Sequence, residues 1–206
     1  MNVMTQEEQV LDVIHQSIQH AMDYSTYRSL VHDLALNGET TGPEQTDSLI
    51  QYTVLNDKRM SRWDKTLKFE KKALSDIENY EVETTFLVLT ESWCGDASPS
   101  LPVLNRIAET SANISLKIVL RDENPELMDL FLTGESRSIP KLIVLQNDTV
   151  VGDWGPRSTK ATAMVDAFKK EHGKLTPEFK QDLQVWYNKD KGQDIFSDIL
   201  SLLGVK

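Results

Sequence analysis

The 206-residue sequence holds a single cysteine, Cys94. One thiol cannot close an internal disulfide, and it excludes a multi-cysteine zinc site. The lack of a disulfide framework fits a reducing compartment. Positive charge is also scarce: 22 Lys and Arg stand against 32 Asp and Glu, a formal net charge of −10. That balance argues against nucleic acid and against an anionic membrane as partners. No run approaches the roughly 18 to 20 apolar residues that span a bilayer. The opening stretch MNVMTQEEQVLDVIHQ has neither a basic n-region nor a long apolar h-region. No secretory signal is expected, and a cytoplasmic location is. His15, His20, His32 and His172 lack acidic or cysteine partners at metal-ligand spacing, so no metal and no cofactor is expected. Gly-rich phosphate loops and nucleophile-elbow serines are missing too.

What is present reads as an ordinary globule, 39% hydrophobic and 26% charged. The length suits one large domain or one with appendages. Residues 1–80 read as helical. Val10, Leu11, Val13, Ile14, Ile18 and Met22 form an apolar stripe near period 3.6. Further helical patterns cover Thr26–Leu36, stopped by Asn37-Gly38, then Asp47–Trp63 and Leu67–Tyr80, with a loop at Gly42-Pro43. Charge is uneven here: residues 1–57 hold nine acidic residues and one basic residue, Arg28. Residues 58–72 then hold seven basic residues, and Lys58, Arg62 and Lys65 share a helical face. The plain reading is a solvated face, and the sharper one is a docking face for an anionic partner.

From residue 81 the pattern changes. Thr84–Thr90 is a continuous β-prone run, suited to a strand buried on both faces. Trp93-Cys94-Gly95-Asp96 follows, then a helix to about Ser111, a strand at Ile114–Leu120 and a short helix opened by Asp122-Glu123-Asn124-Pro125 and running through Leu132. Lys141–Gln146 and Thr149–Trp154 read as a hairpin around Asn147-Asp148. Ser158–His172 reads as a helix with Ser158 or Thr159 at its N-cap. Thr176-Pro177 opens another helix, and Gly192 separates it from a last one ending near Leu203.

Cys94 would sit at a strand-to-helix junction, where free N–H groups and the helix dipole favour thiolate. A charged Asp96 two residues on would oppose this. The plainer reading of Cys94 is a buried structural thiol.

This order of elements, with FLVLTESWCGDASPSLPVLNRIA and with Ser138-Ile139-Pro140 ahead of a hairpin, resembles the thioredoxin-like superfamily. The whole chain is similar to bacterial thioredoxin-like proteins that carry Trp-Cys-Gly-Asp and helical extensions. The resemblance implies an α/β thioredoxin-like fold, a mixed central sheet flanked by helices, over residues 81–172. Helical extensions at 1–80 and 173–206 would pack on that core and offer surface to a protein partner. It implies Cys94 as the nucleophile. Trp93, Gly95, Asp96, Ser138, Ile139 and a cis Pro140 would bind substrate, although Trp93 reads equally well as core.

Departures from the family constrain the chemistry. Ala97 stands where a dithiol enzyme has its second cysteine. Val88 and Ile118 stand where the family carries a buried Asp and its Lys. Ser98 cannot form a disulfide. Two readings follow. One is a monothiol thiol–disulfide oxidoreductase that exchanges with a protein or low-molecular-weight disulfide and is resolved by an external thiol. The other is a thioredoxin-fold binding module without turnover. A glutaredoxin-like cluster or thiol-cofactor protein ranks last, because Cys-Gly-Phe-Ser is absent.

Overall fold

The computed structural model describes residues 5–205. Residues 1–4 and 206, the outer ends of the two expected extensions, lie outside the described residues.

The amino-terminal part forms α1 (Gln6–Gln19), α2 (Tyr24–Asn37), α3 (Asp47–Thr66) and α4 (Lys71–Glu78). Local chemistry accounts for their ends. Thr5 and Glu8 form a reciprocal capping box on α1, with bonds of 3.2 and 2.7 Å. The Asp23 carboxylate accepts from the Thr26 N–H at 2.7 Å to start α2. Gly38 ends α2 in the left-handed region at φ 69°. The stripe that reads as helix through Met22 stops at Gln19. Met22 instead forms an isolated antiparallel bridge to Ile118, exchanging both backbone bonds at 2.8 Å. Pairing with a sheet edge satisfies those groups better than a frayed helical turn.

The centre is β1 (Thr84–Thr90), α5 (Ala97–Thr110), β2 (Ile114–Leu120), α6 (Pro125–Leu130), β3 (Lys141–Gln146) and β4 (Thr149–Trp154). Among the described residues the strands form one mixed sheet in the order β2-β1-β3-β4. β1 runs parallel to β2 and antiparallel to β3, and β3 and β4 form the hairpin. Its turn residues Asn147 and Asp148 both have positive φ, 46° and 65°. That is the backbone a tight two-residue hairpin demands. β1 is buried along nearly its whole length, as its uninterrupted apolar run requires. Val88 and Ile118 are register partners on β1 and β2 and both are fully buried, so an apolar pair fills these facing positions. β4 alternates exposed and half-buried residues, as an edge strand does.

The chain ends in α7 (Thr159–His172), α8 (Pro177–Asp190) and α9 (Gln193–Leu203). Ser158 is the N-cap residue of α7, yet its side chain makes no cap bond. Carboxylates from α9 do that work: Asp198 accepts from the Thr159 N–H and Asp194 from the Lys160 N–H, both at 2.8 Å. Aromatic stacking ties the carboxy-terminal helices to the rest, Phe69 of the α3–α4 loop on Phe196 of α9 and Phe168 of α7 on Phe179 of α8, each with centroids 4.1 Å apart. The result is an α/β thioredoxin-like fold, a mixed sheet flanked by helices, with extra helices before and after it.

Candidate functional site

Strand β1 ends at Thr90 and α5 starts at Ala97, so Glu91–Asp96 is the connecting turn. Ser92 pins this turn to the amino-terminal helices. Its hydroxyl lies 2.8 Å from Thr53 Oγ1 and 3.1 Å from Thr40 Oγ1, and it accepts from the Thr41 N–H at 3.0 Å. Its N–H donates to Thr41 Oγ1 at 2.9 Å, and its carbonyl accepts from Asn56 Nδ2 at 2.9 Å. Every one of these groups is buried, so the network fixes the turn.

Cys94 faces the loop that precedes β3. Its Sγ–H donates to the Ile139 carbonyl at 3.2 Å, and the Ile139–Pro140 bond is cis. Ile139 and Pro140 are buried and Ser138 is half-buried. The motif residues expected to meet the cis-proline loop do so through this one contact. Trp93 is half-buried, with the Arg121 guanidinium 4.9 Å from its ring centroid. The Gly95 carbonyl accepts from Ser98 Oγ at 2.8 Å and from Gln184 Nε2 at 3.2 Å.

The thiol is not poised as a thiolate. Burial pushes Cys94 up from 9.0 to about 12, and the charge of Asp96 adds to the effect. The N–H groups of Ala97 and Asp96, with Arg157, pull the other way and lose. The expectation that the helix start would acidify Cys94 therefore fails here. Only 6% of the residue is exposed, and desolvation of an anion outweighs a few backbone dipoles. Asp96 is itself raised, first by burial, although Arg157 Nη2 approaches its Oδ2 to 2.6 Å. The Tyr187 hydroxyl donates to Asp96 Oδ1 at 3.5 Å, and burial next to that carboxylate holds the phenol well above its usual range.

Four of these neighbours carry no sequence signal. Arg157 follows β4, Gln184 and Tyr187 lie on α8, and Glu91 precedes the motif. Arg59 does belong to the basic run. It is half-buried, its Nη1 donates to Asn56 Oδ1 at 3.3 Å, and it stands beside Gly95. Lys58, Arg62 and Lys65 are exposed, which agrees with the solvated-face reading. Among the described residues no group of three or more His, Cys, Asp or Glu is placed to hold a metal ion, and no helix is long and apolar enough to cross a membrane.

Comparison with known proteins agrees with the architecture. The structure is similar to a crystal structure of a Pseudomonas aeruginosa protein of unknown function, with 17% identity, 98% of each chain covered and a TM-score of 0.63. It is also similar to a crystal structure of an HIV epitope scaffold, with 18% identity, 89% of this chain and 98% of the other covered and a TM-score of 0.56. Likeness at these identities is a likeness of fold. No curated protein sequence matches the chain. A family model described as thioredoxin matches residues 42–169, more than half of the chain, and on that match the chain belongs to the thioredoxin family.

Proposed function

We propose that this chain works as a thioredoxin-fold binding module in which Cys94 is a buried, protonated thiol rather than a turnover nucleophile. The observation that carries this reading is the Sγ–H bond to Ile139, made by a thiol held near 12. A rise from 9.0 to about 12 lowers the thiolate fraction at neutral pH by a factor of ~1000. Higher intrinsic nucleophilicity returns part of that, so exchange runs about fifty-fold slower than for an ordinary exposed thiol, before any steric barrier. One lone pair of the Ile139 carbonyl, which the resemblance pairs with an extended substrate, is taken by the protein's own thiol. Helices before and after the sheet supply further surface for a protein partner.

One observation favours a second reading. Cys94 does face a cis-proline loop, the arrangement a thiol–disulfide exchange site uses. In that reading the Cys94 thiolate attacks one sulfur of a protein or low-molecular-weight disulfide. A mixed disulfide forms and the other sulfur leaves as thiolate. A second external thiol then attacks the mixed disulfide and restores Cys94, because Ala97 cannot. The division into a core at 81–172 with extensions at 1–80 and 173–206, and a cytoplasmic location, belong to both readings.

Intact-mass kinetics with hydroxyethyl disulfide at neutral pH separates them. Slow addition that accelerates in urea supports the binding module. Addition to the folded protein as fast as to a free thiol assigns the exchange role.

A further inference from the structure

Beside the motif lies a cleft of about 440 Å³ that no step above uses. Its apolar walls are Pro43, Leu49, Trp93 and Pro125, and Arg121 and Arg137 supply its positive charge. We propose that this cleft binds a small organic anion, one carboxylate or phosphate head on an apolar body. This deepens the binding-module reading, because it states what the module takes.

Three observations carry the proposal. First, both guanidinium groups keep donors in hand. Arg121 gives Nε to Asp122 Oδ1 at 2.8 Å, with its Nη2 2.8 Å from the same oxygen, and Arg137 gives Nε and Nη2 to Asp129 at 2.7 and 2.6 Å. Nη1 of each has no hydrogen-bond partner among the described residues. Asp122 and Asp129 each balance one guanidinium and hold its fork in place, so the cleft offers an anion two pre-oriented donor edges rather than a net positive charge. Second, Arg121 lies over the Trp93 ring at 4.9 Å, so the cation and the apolar wall are one unit. An anion at the guanidinium would bring its body onto the indole and Leu49.

Third, a buried polar atom lies beneath this floor without a partner. Glu91 is fully buried. Its Oε1 accepts from the Asp122 N–H at 2.9 Å, while its Oε2 has no hydrogen bond. That oxygen sits under Gly42, 4.0 Å from where a Cβ would be, and both Gly42 and Asp122 line the cleft. Burial raises this carboxyl, against hydrogen bonding from Thr41 and the Asp122 N–H, and the buried group stiffens the floor beneath Gly42 and Asp122. The wall above is equally specific. Gly42 has φ +82°, and a Cβ there would meet Asp122 Oδ2 at 2.7 Å, so a side chain would strain this wall and displace the Asp122 carboxylate that holds Arg121. Glu44 stands exposed at the mouth and disfavours ligands with a second negative charge far from the head.

The test reads the Trp93 indole N–H by NMR, identified with a Trp93→Phe variant. Benzoate, phenyl phosphate, inorganic phosphate and benzyl alcohol are titrated in turn. Benzoate or phenyl phosphate is expected to shift the signal saturably, and which of them binds tighter names the head. Benzyl alcohol, the same body without charge, is expected to leave it unmoved. Arg137→Gln, at a half-exposed side chain outside the core, is expected to weaken binding about tenfold; Arg121→Gln is the companion variant. The proposal is overturned if neither anion saturates, if benzyl alcohol binds as well, or if Arg137→Gln binds unchanged. Cys94→Ser is expected to bind the anion normally. Fast disulfide labelling of Cys94 together with saturable anion binding would overturn only the non-turnover reading.

Discussion

Asp96 and Arg157 form an ion pair of 2.6 Å immediately beside Cys94, with side chains only 14% and 21% exposed. Removing one member of so dry a pair leaves the other charge desolvated without compensation. Arg157→Met is therefore expected to destabilise the fold by about 3–5 kcal/mol. Asp96→Asn with Arg157→Met should recover most of that loss, because no lone charge remains. Urea denaturation of the two singles and the double measures it, and strict additivity would contradict the coupling.

The thiol predicts a pH dependence of stability. Cys94 is neutral when protonated, and its folded-state value lies above its unfolded one. Its contribution is thus complete below about 9.0 and is lost as pH rises toward about 12. The loss is of order 4 kcal/mol across that window. Cys94→Ala should be the less stable protein at pH 8, for want of packed sulfur, and should gain on the wild type at each step above pH 9. Buried Tyr27 and Tyr187 are raised first by their own burial, and Cys94 adds to both shifts, so their coupling to the thiol enters the difference with the same sign. Parallel stability curves for the two proteins would refute the burial of Cys94.

The strands were legible because local chemistry writes them: an apolar run at Thr84–Thr90, an Asn-Asp turn at 147–148, a proline after Ile139. The motif and its missing second half came from the family resemblance instead, and Val88 does pair with Ile118. The state of Cys94 was not. Burial raises the thiol first and Asp96 raises it second, while Arg157 pulls it down; Arg157, Gln184 and Tyr187 reach the motif only through tertiary packing of the loop after β4 and of α8. A helix-start dipole is a local inference, whereas desolvation is a property of everything packed around the sulfur. The stop of α1 at Gln19 shows the same limit, since Met22 leaves its helical stripe for a partner almost a hundred residues away.

The start of α7 gives a second stability prediction. Asp198 accepts from Thr159 N–H at 2.8 Å, Thr159 Oγ–H at 3.0 Å and Trp154 Nε1–H at 3.0 Å. It replaces the N-cap bond that Ser158 does not make, and a carboxylate at a helix start also meets the positive end of the dipole. Asp198→Ala should destabilise by about 1–2 kcal/mol. The Trp154 indole N–H signal should shift with it, because the bond to the carboxylate is lost. A loss of stability with that signal unmoved would mean that Asp198 acts elsewhere.

Ser92 links the motif turn to the cleft wall, so one substitution should separate the two sites. Its hydroxyl is shared by Thr40, Thr41 and Thr53, all buried, and Ser92→Ala leaves those hydroxyls and the Thr41 N–H short of a partner. The expected loss is about 1–3 kcal/mol. Thr41 lines the cleft, so that wall loosens, whereas the motif turn keeps the backbone bonds of residue 92 to Thr41 and Asn56 and the sulfur keeps its bond to Ile139. Under native conditions the variant should bind benzoate or phenyl phosphate several-fold more weakly, while its Cys94 remains as slow toward hydroxyethyl disulfide as in the wild type. If Cys94 instead becomes fast while anion binding holds, the Ser92 network is what keeps the thiol closed, and the cleft is braced by Arg121 and Asp122 alone.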